Sequence, residues 1–206
     1  MQHSRTIAPL RPAEATAPSH HDDGATANRQ RRFLDDPDLG VSAAALTHAG
    51  AAARRNGSTL FARHRNAQNM TLGWEAISPP SAPGGRIIYR YTRGACRGVF
   101  WTPLLASTRL VIASGPLQAL QVASADGPCA DTCYLAAGGV WTDIADGVLA
   151  EILRRGAVTA IALSLTPDGH GTAAATRIRA IAACHPQVTA IGALVLPLPT
   201  GGEQAA

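Results

Sequence analysis

Three short stretches of this chain combine small, polar and acidic residues in a way that suits anion chemistry. Ser114-Gly115-Pro116, Gly138-Gly139-Val140-Trp141 and Thr166-Pro167-Asp168-Gly169-His170-Gly171 each follow an apolar run and lead into a helical pattern. Such a connection opens a helix N-terminus, where free backbone N–H groups and the helix dipole favour a phosphate or carboxylate. None is a GxxxxGK[ST] loop or a GxGxxG fingerprint, so no nucleotide-binding motif is met. Asp168 is the one carboxylate among the three. It suits a hard cation such as Mg2+, and equally the turn that Pro-Asp-Gly forms. Ser114 reads as a hydroxyl in a site or as a cap of the following helix. His170 reads as a loop residue or a ligand.

A second group is basic. Arg63, His64 and Arg65, with Arg86, Arg90, Arg93 and Arg97, crowd one stretch of the chain. There is no Lys, so all 18 basic residues are Arg, and each is a planar fork that grips a phosphate with two parallel hydrogen bonds. Such a cluster fits a nucleic-acid backbone, and it also fits scattered solvated cations in a chain without Lys. The net charge of +4 is compatible with a polyanionic partner without requiring one. Trp101 and Trp141 read as packing anchors rather than base-stacking platforms. Cys96, Cys129, Cys133 and Cys184 have neither CxxC spacing nor a nearby His, and read as free thiols. His20 and His21 followed by Asp22 and Asp23 offer metal ligands or a solvated tail.

The elements that must position these groups differ between the two halves. Residues 33–55 are expected to hold a short helical segment, with Ser42 as its cap, Arg54 and Arg55 near its C-terminal end and Gly57 after it. Residues 59–78 alternate apolar and polar on either side of RNAQN, a β-hairpin pattern, and residues 86–101 add one or two short strands. From Arg109 onward strands and helices alternate. RLVIAS, CYLAAGG, AVTAIALSL and VTAIGALVLP are apolar runs, and helices lie between them. The first helix carries Pro116 in its first turn. The second has Thr142 at its N-cap, an apolar stripe of Ile144, Val148, Leu149, Ile152 and Leu153, and Arg154 and Arg155 before Gly156. The third ends at Pro186. This alternation is the signature of a parallel sheet covered on both faces, and unbroken apolar strands agree with burial on both sides.

Aromatic residues make up 4% of the chain, so Ala, Val, Leu and Ile must fill the core. No apolar run approaches the roughly 20 residues of a membrane span, and the N-terminal residues lack the apolar segment of a secretory signal. A cytoplasmic protein with no membrane partner is expected. The expected organisation is a disordered tail over 1–32, a small α+β region over 33–106, an α/β domain over 107–198 and a second tail over 199–206.

The run from Arg109 to Leu120, with Ser114 after the strand, resembles the opening strand and helix of a Toprim domain. The stretch from Ala162 to Gly171 resembles its DxD loop. Upstream, Leu72-Gly-Trp-Glu75 and Arg97-Gly-Val-Phe-Trp101 are similar to a domain of unknown function that precedes Toprim in many plasmid-associated bacterial proteins. The resemblance covers residues 58–198 and implies a Toprim-like, Rossmann-like α/β fold: a mainly parallel sheet with helices on both faces, preceded by a small β-rich subdomain. Toprim proteins include primases, topoisomerases and nucleases. The family places a Glu after the first strand as general acid or base, and two Asp in the DxD loop to hold magnesium. Here the Glu position carries Ser114, the first Asp position Thr166, and the second is kept as Asp168. A shifted placement pairs Asp168 with His170. With a single carboxylate, Mg2+ would be held weakly and phosphoryl transfer impaired.

The resemblance therefore implies a protein of plasmid or mobile-element DNA metabolism, beside a primase or relaxase. It would bind DNA, single-stranded, through Arg63, Arg65, Arg90, Arg93 and Arg97, without efficient catalysis. Two other readings stay open at this point. One is an active Mg2+-dependent primase-like nucleotidyltransferase or nuclease, with Asp143 recruited beside Asp168. The other is a non-catalytic interaction scaffold.

Overall fold

The structure, a computed structural model, describes residues 39–81, 85–92, 94–104, 106–127 and 129–194. The expected tails over 1–32 and 199–206, the His20–Asp23 run and Arg93 lie outside the described residues.

The second half folds as its pattern dictates. Strands β6 (Arg109–Ala113), β7 (Thr132–Ala137), β8 (Ala160–Ser164) and β9 (Ala190–Ala193) alternate with helices α2 (Pro116–Asp126), α3 (Asp143–Arg155) and α4 (Gly169–Ala183). All four strands run parallel, in the spatial order β7-β6-β8-β9. Period-two alternation splits the apolar residues of the two central strands between two cores. Val111, Ala113, Tyr134 and Ala136 face one side, and Leu110, Ile112, Cys133, Leu135 and Ala137 face the other. Helix α2 covers the first face, and α3 and α4 cover the second.

The first half is antiparallel. Helix α1 (Ala43–Ala49), a short 3-10 turn, and strands β1 (Ala53–Asn56), β2 (Thr59–Arg65), β3 (Thr71–Ser78), β4 (Ile88–Tyr91) and β5 (Val99–Trp101) precede the parallel strands. The hairpin expected around RNAQN is β2–β3, and its turn places Asn69 at φ +64°. These strands do not form a sheet of their own. β5 pairs antiparallel with β7, so the order β4-β3-β2-β5-β7-β6-β8-β9 runs through one continuous sheet, with β1 added on β2.

Three local expectations are corrected. The first helix stops at Gly50, which has φ +53°, and Arg54 and Arg55 lie in β1, paired with Phe61 and Leu60. Pairing with β2 there outweighs the helical tendency of an Ala-rich segment. Ile144 is exposed rather than in the apolar stripe of α3, whose buried residues are Ala145, Val148, Leu149, Ile152 and Leu153. Ser114 does not cap α2, whose N-cap is Gly115. Ser42 does cap α1, its hydroxyl accepting from the Ala45 amide. Helix α2 is buried on several sides because α1 lies behind it. The Ser42 amide donates to Ser124 Oγ, and Gln121 Nε2 donates to the Leu39 carbonyl.

Candidate functional site

The order β7-β6-β8-β9 has one topological switch point. The connection leaving β6 turns toward β7 through α2 on one face. The connection leaving β8 turns toward β9 through α4 on the other. Between the carboxyl ends of β6 and β8 the chain parts into a crevice, the usual ligand position in such sheets. Ser114 and Thr166 stand there by register, since Ala113 pairs with Ser164. The crevice is lined by Ser114, Gly139, Trp141, Thr166, His170 and Gly171, among others. The fold brings the three loops expected from the sequence together.

The groups in this crevice bind one another. The Thr166 amide donates to Ser114 Oγ at 2.8 Å. Gln118, from the first turn of α2, accepts from the Ser114 amide at 3.1 Å and donates through Nε2 to Ser164 Oγ. Gln118 was not singled out from the sequence. Its place four residues after Ser114, one helical turn, is the signal that it reaches back. Asp168 is the N-cap of α4, and Oδ1 accepts from the Gly171 amide at 2.8 Å. That bond, with the Thr166 hydroxyl and the nearby His170, holds its carboxyl below the usual Asp value. A Cβ on Gly171 would collide with the Thr166 carbonyl, so glycine is what lets the β8–α4 loop close this tightly.

Mg2+ needs several hard oxygens, commonly one or two carboxylates completed by water and phosphate. Asp168 is the only carboxylate at this loop, and it is already bonded to its own helix. Among the described residues no group of three or more His, Cys, Asp or Glu side chains is placed to hold a metal. Asp143 is committed elsewhere. With Asp146 it pairs with Arg177 of α4, and Asp146 also accepts from Trp141 Nε1 at 2.7 Å. This ties the β7–α3 loop, α3 and α4 together beside the crevice. The residues present do not fit the Mg2+ site of the Toprim pattern.

The expected basic cluster is divided by the fold. His64 and Arg65 are both buried, on opposite faces of β2, beside a β-bulge at Leu72 of β3. Arg65 stacks on the Trp101 ring, 3.7 Å from its centroid, and donates to the Trp101 carbonyl and to Asn69. Burial lowers its pKa to about 10, so it stays charged at neutral pH, and its Nε has no partner among the described residues. His64 is fully buried. Nδ1 faces the Gly98 carbonyl at 3.0 Å and Nε2 faces Glu75 Oε2 at 3.0 Å. Tyr91 packs on the His64 ring, and burial and Glu75 push its hydroxyl pKa up to about 12. Arg97 lies over Tyr91, whose hydroxyl is 3.5 Å from the Gly138 carbonyl. Arg63 and Arg90 sit on the face opposite His64 and Tyr91, across β3 from each other at Trp74 and Ala76. Trp101 and Trp141 are buried, as packing anchors are.

No family model matches this chain, and no curated protein matches it. Solved structures do. The primase fragment of the bacteriophage T7 primase-helicase protein aligns with a TM-score of 0.50 and 13% identity, over 91% of this chain and 74% of that one. The T7 primase domains seen with lagging-strand DNA polymerase, an RNA/DNA hybrid and dTTP align at 0.48 and 15%, over 79% of each chain. The E. coli primase catalytic core aligns at 0.42 and 16%, over 85% of this chain and 57% of that one. The likeness to the T7 fragment is one of fold. The chain has a mixed α/β, Toprim-like architecture similar to that of primase cores, with parallel strands flanked by helices on both faces.

Proposed function

We propose that this chain is a nucleic-acid-binding protein of DNA metabolism, built on a primase-like fold whose phosphoryl-transfer site is catalytically impaired. The observation that carries the reading is the state of the crevice between β6 and β8. The space left there is about 10 Å3, barely a water molecule. Ser114 and Thr166 hold each other where the Toprim pattern has carboxylates, and Asp168 stabilises its own helix. Phosphoryl transfer depends on positioned cations and charge stabilisation, and this crevice supplies neither. Any Mg2+ at Asp168 is bound weakly. The accessible arginines Arg63, Arg90 and Arg97 support binding to a polyanion, with Arg65 as a buried prop of the same region. The setting we infer is plasmid or mobile-element DNA, beside a primase or relaxase partner.

The test is fluorescence anisotropy with labelled single-stranded DNA between about 50 and 200 mM salt. Binding should weaken steeply with salt. Arg63→Ala, Arg90→Ala and Arg97→Ala should each lower the log–log salt slope by about 0.7, the value of one lost phosphate contact on a single strand. Absence of binding at the lowest salt would remove the nucleic-acid reading. Mg2+-dependent primer synthesis or strand cleavage that Asp168→Ala abolishes would remove the impaired-catalysis half.

A further inference from the structure

The sheet is covered unevenly. One face lies against α1 and α2 along both halves. The other carries α3 and α4, whose packing partners are β5 and the parallel strands. The residues of β1–β4 on that second face belong to neither core cluster. Strand parity identifies them. Leu60, Ala62, Ile77 and Glu75 point inward and are buried. Phe61, Arg63, Trp74 and Ala76 point outward and are half-buried, and register places Arg54 beside Phe61 and Arg90 beside Ala76.

These outward residues form an ordered pattern. Arg54, Phe61, Ala76 and Arg90 make one row across the four strands, and Arg63 and Trp74 make the next. The Arg54 guanidinium lies 4.5 Å from the centroid of Trp74 and 5.6 Å from that of Phe61. Among the described residues neither Arg54 nor Arg90 donates a hydrogen bond to a protein acceptor, so their N–H edges remain for a ligand. Arg63 is held by Thr71 Oγ1 at 2.7 Å. The four strands carry a single acidic residue, Glu75, and it is turned inward against His64. The face is thus aromatic and cationic with no negative side chain of its own strands.

We infer that this bare face of β1–β4 is a stacking platform for single-stranded nucleic acid, with Trp74 and Phe61 taking bases and Arg54, Arg63 and Arg90 taking phosphates. The inference rests on the nucleic-acid reading above and gives it a location away from the crevice. Aromatic rings on an open sheet face stack unpaired bases whatever their sequence, and flanking arginines track the backbone. Trp74 and Phe61 stand diagonally on adjacent strands, within about 7–8 Å at Cα, which suits two neighbouring bases of an extended strand. A duplex hides its bases and offers only phosphates, so it would use the arginines but not the rings. The charge on the face argues against an apolar protein partner.

The chain has three tryptophans, and Trp101 and Trp141 are 8% and 7% exposed, so quenching by an added oligonucleotide reports mainly on Trp74. The full chain is titrated with oligo(dT) of about 15 nucleotides, followed by tryptophan emission and by anisotropy, beside a duplex of equal length. Oligo(dT) should quench the emission. Trp74→Phe should remove most of the quench and keep affinity within a few-fold, because Phe still stacks. Trp74→Ala with Phe61→Ala should weaken oligo(dT) binding at least tenfold with an unchanged salt slope, and should leave duplex binding unaltered. Arg54→Ala should lower the slope instead. The platform is overturned if the wild type binds oligo(dT) without quenching, binds duplex equally well, or is matched in affinity by the double variant. The wider nucleic-acid reading survives those three results, and it falls with the platform only if the wild type binds no oligonucleotide.

Discussion

His64 and Glu75 are polar groups where the sheet would tolerate apolar ones. Both ring nitrogens of His64 face acceptors, the Gly98 carbonyl and the Glu75 carboxylate, so the ring is held at both ends inside the protein. A buried pair adds little net stability against an apolar replacement, but removing one member strands the other. His64→Ala is therefore expected to destabilise by about 3–5 kcal/mol, since it leaves Glu75 buried without its partner. Glu75→Gln should cost less, because the amide oxygen still accepts from Nε2. His64→Leu combined with Glu75→Met should recover most of the loss. Urea unfolding of the wild type and the three variants at neutral pH checks this, and a double variant worse than His64→Ala would contradict it. Cys133 is a quieter case. Its buried thiol donates to the Thr102 carbonyl, and burial pushes its pKa up to about 12, so it is an inert core group as low thiolate character requires.

At the scale of elements, α3 depends on both packing and charge. Val148, Leu149, Ile152 and Leu153 are buried against the sheet, each contributing on the order of 1.5–3 kcal/mol. Its ends are charged in the sense the helix dipole favours, with Asp143 and Asp146 first and Arg154 and Arg155 last. Glu151, one turn back, bonds both arginines. The hydrogen bond from Arg154, helped by Arg155, holds its carboxyl at about 2 against an ordinary 4.5. A depressed carboxyl stabilises the fold above its ordinary value and loses that contribution as pH falls to its folded value. Glu151→Gln should therefore be less stable than the wild type above pH 4.5, with the difference shrinking to nothing near pH 2. Thermal melts across that range check the sign. The pair is on the surface, so high salt should shrink the difference as well.

For the whole molecule, the question is whether the antiparallel and parallel halves are separate bodies. The expected boundary between residues 106 and 107 falls inside one sheet. β5 gives Val99, Phe100 and Trp101 to Ala137, Ala136 and Leu135 of β7, and α1 shares a core with α2 and Tyr134. A fragment starting at residue 107 would open the β7 edge and uncover α2 and Tyr134. It is expected to show no cooperative thermal transition by circular dichroism, whereas the full chain should melt in one step. A fragment that melts cooperatively would restore the boundary as a true domain junction. No helix among the described residues is long and apolar enough to cross a membrane.

The sequence by itself determined the β/α alternation of the second half, the hairpin around RNAQN and the loops that follow the apolar strands. Apolar runs, helical stripes and turn residues are local signals, and burial on both faces leaves each parallel strand one reading. It did not determine which loops would be neighbours, since strand order follows from long-range pairing: β8 lies beside β6 although β7 lies between them in sequence. Nor did it separate the arginines. Arg63 and Arg65 look alike on paper and share one face of β2, but only Arg65 lies against β5 and stacks on Trp101, while Arg63 stands beyond that cover. Which stretch of a strand is covered follows from the packing of elements distant in sequence, and only the tertiary structure decides it. For the same reason the grouping of Arg54 with Phe61 and Trp74 was hidden until three strands were laid side by side.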